Sequence, residues 1–209
     1  MPVMTEIEYQ KGWSDAEIAD WLAAHLAKAL KERDGTVAVT VPGGSTPFPI
    51  FAELAKHDLD WQRLEFWPGD DRCVPADHEA SNYGRLAAAL SDTGASVVEL
   101  TEDKHPPHFA LAWLGMGLDG HVASLFPNTD PQVDDPAQVK RLTPDPLPPE
   151  APFDRVTLTL SKLLTAEALM FVVRGEDKLA LFEEAARGNN DLPVARLLGQ
   201  ARCSVTCFS

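Results

Sequence analysis

The feature that most restricts this chain is an unbroken apolar run, Phe109-Ala110-Leu111-Ala112-Trp113-Leu114, that leads directly into Gly115-Met116-Gly117-Leu118-Asp119-Gly120-His121. A run with no polar position reads as a strand buried within a sheet. The glycines at 115, 117 and 120 let the backbone turn sharply at its end, and the turn delivers an imidazole to the mouth of the strand. Histidine is the side chain whose ordinary pKa lies nearest neutrality, so a base for proton transfer fits here. A histidine that caps the turn fits this stretch equally well, and the choice between them rests on the rest of the chain.

That remainder alternates between helix and strand patterns. Ser14 and Glu17 form a capping box, and Ile18, Trp21, Leu22, His25, Leu26 and Ala29 then recur at helical spacing until Gly35. Residues 36–41 are rich in β-branched side chains and read as a strand; 64–67 and 97–100 read as shorter ones, with a helix over 85–90 between them. In the last third, 155–160 alternates as a strand, Ser161 starts a short helix, 169–173 is a buried strand, 176–187 is a helix ended by Gly188, and an apolar segment follows at 192–198. Such alternation implies an open, mainly parallel sheet with helices on both faces and ligands at the carboxyl ends of the strands. A length of 209 residues suits one domain spanning 1–209.

Only eight residues, two of them proline, separate Leu100 from Phe109. A helical crossover between parallel neighbours needs more chain than that, so one of the two strands must pair elsewhere or at the sheet edge. Residues 128–152 are rich in Pro and Asp with little periodicity and read as a long loop near the mouth of a site.

The strand over 36–41 ends in Pro42-Gly43-Gly44-Ser45-Thr46-Pro47. Thr46 can cap a following helix and Pro47 can be its first residue, so the amides and hydroxyls of Gly43, Gly44, Ser45 and Thr46 converge at a positive helix end. Strand, glycine turn and helix N-terminus together favour phosphate binding over a plain tight turn. The pattern is neither a dinucleotide fingerprint nor a Walker loop, so a small sugar phosphate is the better ligand class. With 18 basic against 32 acidic residues the formal charge is −14, which repels polyanions and argues against nucleic-acid binding. A phosphate site must therefore depend on local N–H groups and a few gathered cations. Arg72 in Gly69-Asp70-Asp71-Arg72 is one candidate clamp, with one of the two neighbouring carboxylates holding a sugar hydroxyl or orienting the guanidinium. Lys178, in a first helical turn where the dipole disfavours a cation, is another.

No apolar run approaches the length of a membrane span and no secretion pattern opens the chain, so no membrane partner and a cytoplasmic location are expected. The cysteines at 73, 203 and 207 do not have the spacing of a disulfide framework or zinc site. His105 and His108 lie in a Pro-rich loop without a cysteine partner, and neither a metal nor a cofactor is expected.

These motifs, taken in order, resemble those of the 6-phosphogluconolactonases, within the wider family of glucosamine-6-phosphate isomerases. The resemblance rests on Gly43-Gly44-Ser45-Thr46-Pro47, Asp70-Asp71-Arg72-Cys73-Val74-Pro75, Asp77-His78, Ser81-Asn82-Tyr83, Leu114 through Pro127, Arg155-Val156-Thr157-Leu158-Thr159, and Gly175 with Lys178. It implies a Rossmann-like α/β fold and metal-independent hydrolysis of 6-phospho-D-glucono-1,5-lactone. By the same resemblance His121 is the general base, Asp119 orients it, and Gly43, Gly44, Ser45, Thr46, Asp71, Arg72, Arg155 and Lys178 bind the substrate and its phosphate. A monomer or weak homodimer is expected.

Three departures from the family pattern stand out. Asp71 replaces the usual glutamate, the link over 101–108 lacks a helix and so shortens the sheet edge, and the chain ends at 203–209 without a terminal helix. Two other functions compete. Glucosamine-6-phosphate isomerases follow the histidine with a segment ending Phe-Asn-Glu-Pro, whereas this chain has Ser124-Leu125-Phe126-Pro127 and no carboxylate there. A non-catalytic sugar-phosphate sensor on the same fold would share the phosphate site, but has no need for His121 and Asp119.

Overall fold

The computed structural model describes residues 6–146 and 152–209. In chain order the elements are β1 (Ile7–Gln10), α1 (Asp15–Glu32), β2 (Val37–Val41), α2 (Pro47–Leu54), β3 (Leu64–Pro68), β4 (Asp70–Arg72), α3 (Asn82–Ala89), β5 (Ser96–Val97), β6 (Phe109–Leu114), β7 (Val139–Leu142), β8 (Arg155–Leu158), α4 (Leu160–Leu163), β9 (Ala168–Val172), α5 (Glu176–Ala186), α6 (Pro193–Gln200) and β10 (Ser204–Phe208).

Seven strands form one sheet in the order β1-β10-β9-β6-β2-β3-β5, and every pairing in it is parallel. From β2 the chain builds outward through β3 to β5, and from β6 it builds the other way through β9 to β10. The direction therefore reverses between β2 and β6, and the crevice beyond the carboxyl ends of these two strands is where such sheets bind ligands.

The run over 109–114 is β6, buried at all six positions in the middle of the sheet. One face of the sheet is covered by α1, α2 and α3, through Ile18, Leu22, Leu26, Ile50, Phe51 and Leu86. The other packs against α4, α5 and α6, through Leu160, Leu163, Phe182, Val194 and Leu197. Helix α1 begins as its sequence predicts: the Glu17 carboxylate accepts the Ser14 backbone N–H at 2.8 Å, and Ser14 Oγ accepts the Glu17 N–H at 3.3 Å.

Several boundaries differ from the sequence reading, each for a local reason. Helix α3 starts at Asn82, before residue 85, because Ser81 Oγ accepts the Gly84 N–H at 3.0 Å and nucleates the turn earlier. Thr159 caps α4 by accepting the Lys162 N–H at 3.2 Å, which moves its start to Leu160. Strand β5 ends at Val97 and lies at the sheet edge beside β3, which resolves the short link to β6. Within 128–152 there is a strand, β7, whose Val139-Lys140-Arg141-Leu142 is too polar to stand out; residues 147–151 of that stretch lie outside the described residues. Strand β8 does not join the parallel sheet. It pairs antiparallel with β4 and β7 in a second, three-stranded sheet, and all four of its residues are buried.

The largest omission is β10. Residues 204–208, to which the sequence reading assigns no element, form an interior strand between β1 and β9, with Val205, Thr206, Cys207 and Phe208 all buried. Burial pushes the Cys207 thiol up to about 12, so it behaves as an inert apolar group. A chain truncated after Arg202 would strand β1 and open the edge of β9. Such a chain is expected to lose its cooperative urea transition; a transition like that of the full chain would contradict the role given to β10.

Candidate active site

A cavity of about 330 Å³ opens at the reversal point, within the range of small-ligand pockets. Its walls come from five places: the turn after β2, the turn after β6, strand β4, the start of α3, and the junction of β9 with α5.

The turn after β2 contributes Gly43, Gly44, Ser45 and Thr46. Gly44 has φ +83, a conformation that suits glycine. Pro47 is the first residue of α2, as expected. Thr46 occupies the cap position, but its backbone is already helical (φ −59, ψ −39) and its hydroxyl makes no capping bond. The sequence reading of Thr46 as a side-chain cap is thus corrected, and its hydroxyl is not spent on its own helix.

The turn after β6 brings in His121. Its Nδ1 lies 2.6 Å from Asp119 Oδ1, which also accepts the His121 backbone N–H at 3.2 Å. The ring packs against Phe126, with centroids 4.7 Å apart. The bond to the His121 imidazole holds the Asp119 carboxyl below its ordinary range, against the opposing effect of burial. An ionised carboxylate only accepts, so Nδ1 carries the proton and Nε2 of the neutral ring is left as the acceptor. Gly117 makes this possible, because a Cβ there would overlap the His121 ring and the Asp119 carboxylate. Helix α6 and its lead-in hold the turn from behind. The Val194 N–H donates to the Gly120 carbonyl at 3.1 Å, Leu192 packs where a Gly120 side chain would stand, and Arg196 reaches Asp130 at 2.6 Å and the Pro131 carbonyl at 3.0 Å.

Strand β4 splits its two carboxylates between different tasks. Asp71 is buried and lies outside the cavity lining. One of its oxygens accepts the N–H groups of Arg72 at 2.7 Å and Asn82 at 2.6 Å, and the other accepts that of Tyr83 at 2.8 Å. Burial still raises its pKa despite these three bonds. It is Asp70 that lines the cavity, and it is hydrogen-bonded by the Ser124 hydroxyl. Arg72 also lines the cavity, with Nη1 donating to the Ala80 carbonyl at 2.8 Å.

Of the residues named from sequence, Gly43, Gly44, Ser45, Thr46, Arg72, His121 and Lys178 line one cavity, and Asp119 is bonded to His121. Asp71 and Arg155 are placed elsewhere. Arg155 is 3% exposed in β8, donates to the Phe153 carbonyl, and has its pKa lowered by burial and by the nearby Arg72. It is not part of the cavity lining, but it lies close enough to Arg72 and Asp70, which are, to feel their charges. Asp70, Asn82 and Arg174 line the cavity too; Asp70 and Asn82 fall within the sequence motifs, whereas Arg174 lies outside them. Arg174 was open to detection, since it directly follows the buried run of β9 and so falls at a carboxyl strand end. Asp70 was not, because nothing in an Asp-Asp pair says which member turns inward.

Fold and crevice together define a doubly wound α/β protein with an anion-ready site and a carboxylate-oriented histidine. The chain belongs to the family described as glucosamine-6-phosphate isomerases/6-phosphogluconolactonase, whose model matches residues 14–106 and 86–206. The 6-phosphogluconolactonase of Neisseria meningitidis serogroup B is 34% identical over 208 positions, covering 88% of each chain. That of Pseudomonas putida is 35% identical over 216 positions, covering 87% of this chain and 88% of its own. The crystal structure of a 6-phosphogluconolactonase from Shewanella baltica superposes with a TM-score of 0.83 at 26% identity, covering 98% of both chains.

Two measurements test this geometry. Gly117→Ala should displace the imidazole and lower turnover by about 10²-fold or more with little change in melting temperature; unimpaired turnover would contradict the packing described. The folded pKa of Asp119 lies below its ordinary value of 3.8, so its ionised form adds stability above that value, and the gain is lost as pH falls through the folded pKa. Urea titrations of Asp119→Asn should therefore converge with wild type in acid and diverge toward neutral pH. A pH-independent gap would show that the ion–imidazole bond is not what stabilises the turn.

Proposed function

We propose that this protein hydrolyses 6-phospho-D-glucono-1,5-lactone to 6-phospho-D-gluconate, with His121 as the base. The observation that carries the reading is the bond from Nδ1 to Asp119, which leaves Nε2 as a proton acceptor on a residue that lines the cavity. Water held between Nε2 and the lactone carbonyl loses a proton to the imidazole as its oxygen bonds to the carbonyl carbon. The carbonyl oxygen gains the negative charge, which the cations of the cavity offset. On collapse the ring C–O bond breaks, and the imidazolium returns its proton to the departing ring oxygen. Asp119 stabilises the imidazolium between the two transfers and keeps the ring in one tautomer.

The phosphate is assigned to the Gly43–Thr46 turn with Lys178, and Arg72 serves the same end of the substrate. The relatives named above, similar over most of their length, support the lactone as substrate. The segment after the histidine supports hydrolysis over isomerisation: the position of the glutamate in the isomerase pattern is Phe126, whose ring packs against that of His121 with centroids 4.7 Å apart, so that position carries no carboxylic acid. No helix among the described residues is long and apolar enough to cross a membrane. Action in the cytoplasm, as a monomer or weak homodimer folded as one domain, completes the reading.

The test is hydrolysis of freshly generated lactone, followed against its spontaneous opening. His121→Ala should slow turnover by about 10²- to 10⁴-fold while binding of 6-phosphogluconate persists; undiminished turnover would remove His121 from the chemistry. Arg72→Ala should act chiefly on KM, and a fall in kcat alone would place Arg72 at the reacting carbonyl. Ammonia release from glucosamine 6-phosphate, without lactone hydrolysis, would overturn the assignment.

A further inference from the structure

We propose that Arg174 is a second phosphate-binding cation of this site, held ready by the start of α1, and that it contributes to the choice of phosphorylated over unphosphorylated lactones. The inference rests on the lactone reading above and extends it to a residue that neither the family motifs nor the sequence pattern singled out.

Arg174 stands between the last residues of β9 and Gly175, the cap position of α5, and it lines the same cavity as Lys178, Ser45 and His121. Lys178 lies in the first turn of α5, so both cations enter from one junction and share a wall. Their side of the cavity receives little intrinsic compensation. Among the described residues the Lys178 ammonium makes no ion pair, and Glu176 and Asp177, the acidic neighbours in that first turn, make none with Arg174.

The guanidinium is instead fixed from the opposite side. Its Nη1 donates to the Trp13 carbonyl at 3.1 Å and its Nη2 to Asp15 Oδ1 at 2.8 Å. Asp15 is the first residue of α1, where the helix dipole favours a carboxylate, so it stays in place as an anchor. A guanidinium has five N–H donors in a rigid fork. Two are engaged with α1 and its lead-in, and the others are uncommitted among the described residues. The side chains of the pair are 39% and 41% exposed, so the ion pair is weak and does not neutralise the charge. Its effect is orientation: the side-chain entropy of the arginine is already lost before ligand arrives, which lowers the cost of binding a dianion. Charge-assisted, fork-shaped contact with phosphate oxygens is what a pre-aimed guanidinium offers and an ammonium does not.

A purely structural strut between β9 and α1 would use the same two bonds, so the test compares substrates. The ratio of kcat/KM for 6-phospho-glucono-lactone to that for glucono-1,5-lactone would be measured for wild type, Arg174→Ala, Arg174→Lys and Asp15→Asn, with binding of inorganic phosphate followed by calorimetry. Arg174→Ala should lower the ratio by about 10- to 100-fold, through KM for the phosphorylated substrate, and weaken phosphate binding in proportion. Arg174→Lys should recover part of the loss, and Asp15→Asn should cost less than Arg174→Ala, because the cation remains. Equal losses on both lactones, or an Asp15→Asn defect as large as that of Arg174→Ala, would make Arg174 a strut and overturn the proposal. Should wild type hydrolyse neither lactone, the reaction assignment falls by itself; calorimetry still judges Arg174, and phosphate binding unaltered by Arg174→Ala would overturn its role.

Discussion

The site exists only while the parallel register of β2, β6 and β9 holds. Thr40 stands opposite Ala112, and Ala112 opposite Leu169, so the three strands end nearly level and release their loops into one crevice. A slip of one residue would move a loop by about 3.3 Å and turn every side chain of the strand to the other face. Such a slip is opposed by packing. The ring of Trp113 on β6 lies 5.2 Å from Phe51 of α2, and Phe51 meets Phe66 of β3 edge-on at 6.2 Å, so the two strands that flank β2 are pinned through one helix. The precision of the loops follows from apolar contacts that never touch them.

Electrostatics then reconcile an acidic chain with an anionic ligand. A formal charge of −14 disfavours phosphate at a distance, yet Arg72, Arg174 and Lys178 gather around one cavity. The carboxylate most able to neutralise Arg72, that of Asp71, is occupied by the backbone N–H groups at the start of α3. It thereby fixes Asn82 and the base of the Arg72 side chain without cancelling the guanidinium. Asp70 lies on the wall instead, hydrogen-bonded by Ser124, where one acceptor among cations can serve a sugar hydroxyl.

What the sequence revealed and what it hid divide along physical lines. Runs buried on both faces, such as β6 and β9, announce themselves because every position is apolar, and turns such as 43–47 and 115–121 do so because glycine has few other reasons to cluster. Strand β10 was illegible: it is only five residues long, Ser204 and Thr206 break up its apolar signal, and the burial of 205–208 comes from strands on either side that lie far away in the chain. The second sheet was illegible for a related reason, since antiparallel pairing of β8 with β4 and β7 depends on where β3 lets the chain out at Gly69. In the site, spacing identified His121 with Asp119, whose contact is local. It could not say that Asp71 and Arg155 stand outside the lining, since the direction of each is decided by the groups that surround it in the fold.

The grip of α6 on the histidine turn has a consequence for biosynthesis. The turn is made well before the residues that hold it, and β1 can find its partner only when β10 exists. On a ribosome that delivers the chain from its amino end, the His121 imidazole emerges before α6, into a fold that cannot yet secure it. The aim of His121 is therefore set only once α6 has been made, and a chain that stops short of α6 carries the imidazole without the contacts that hold its turn.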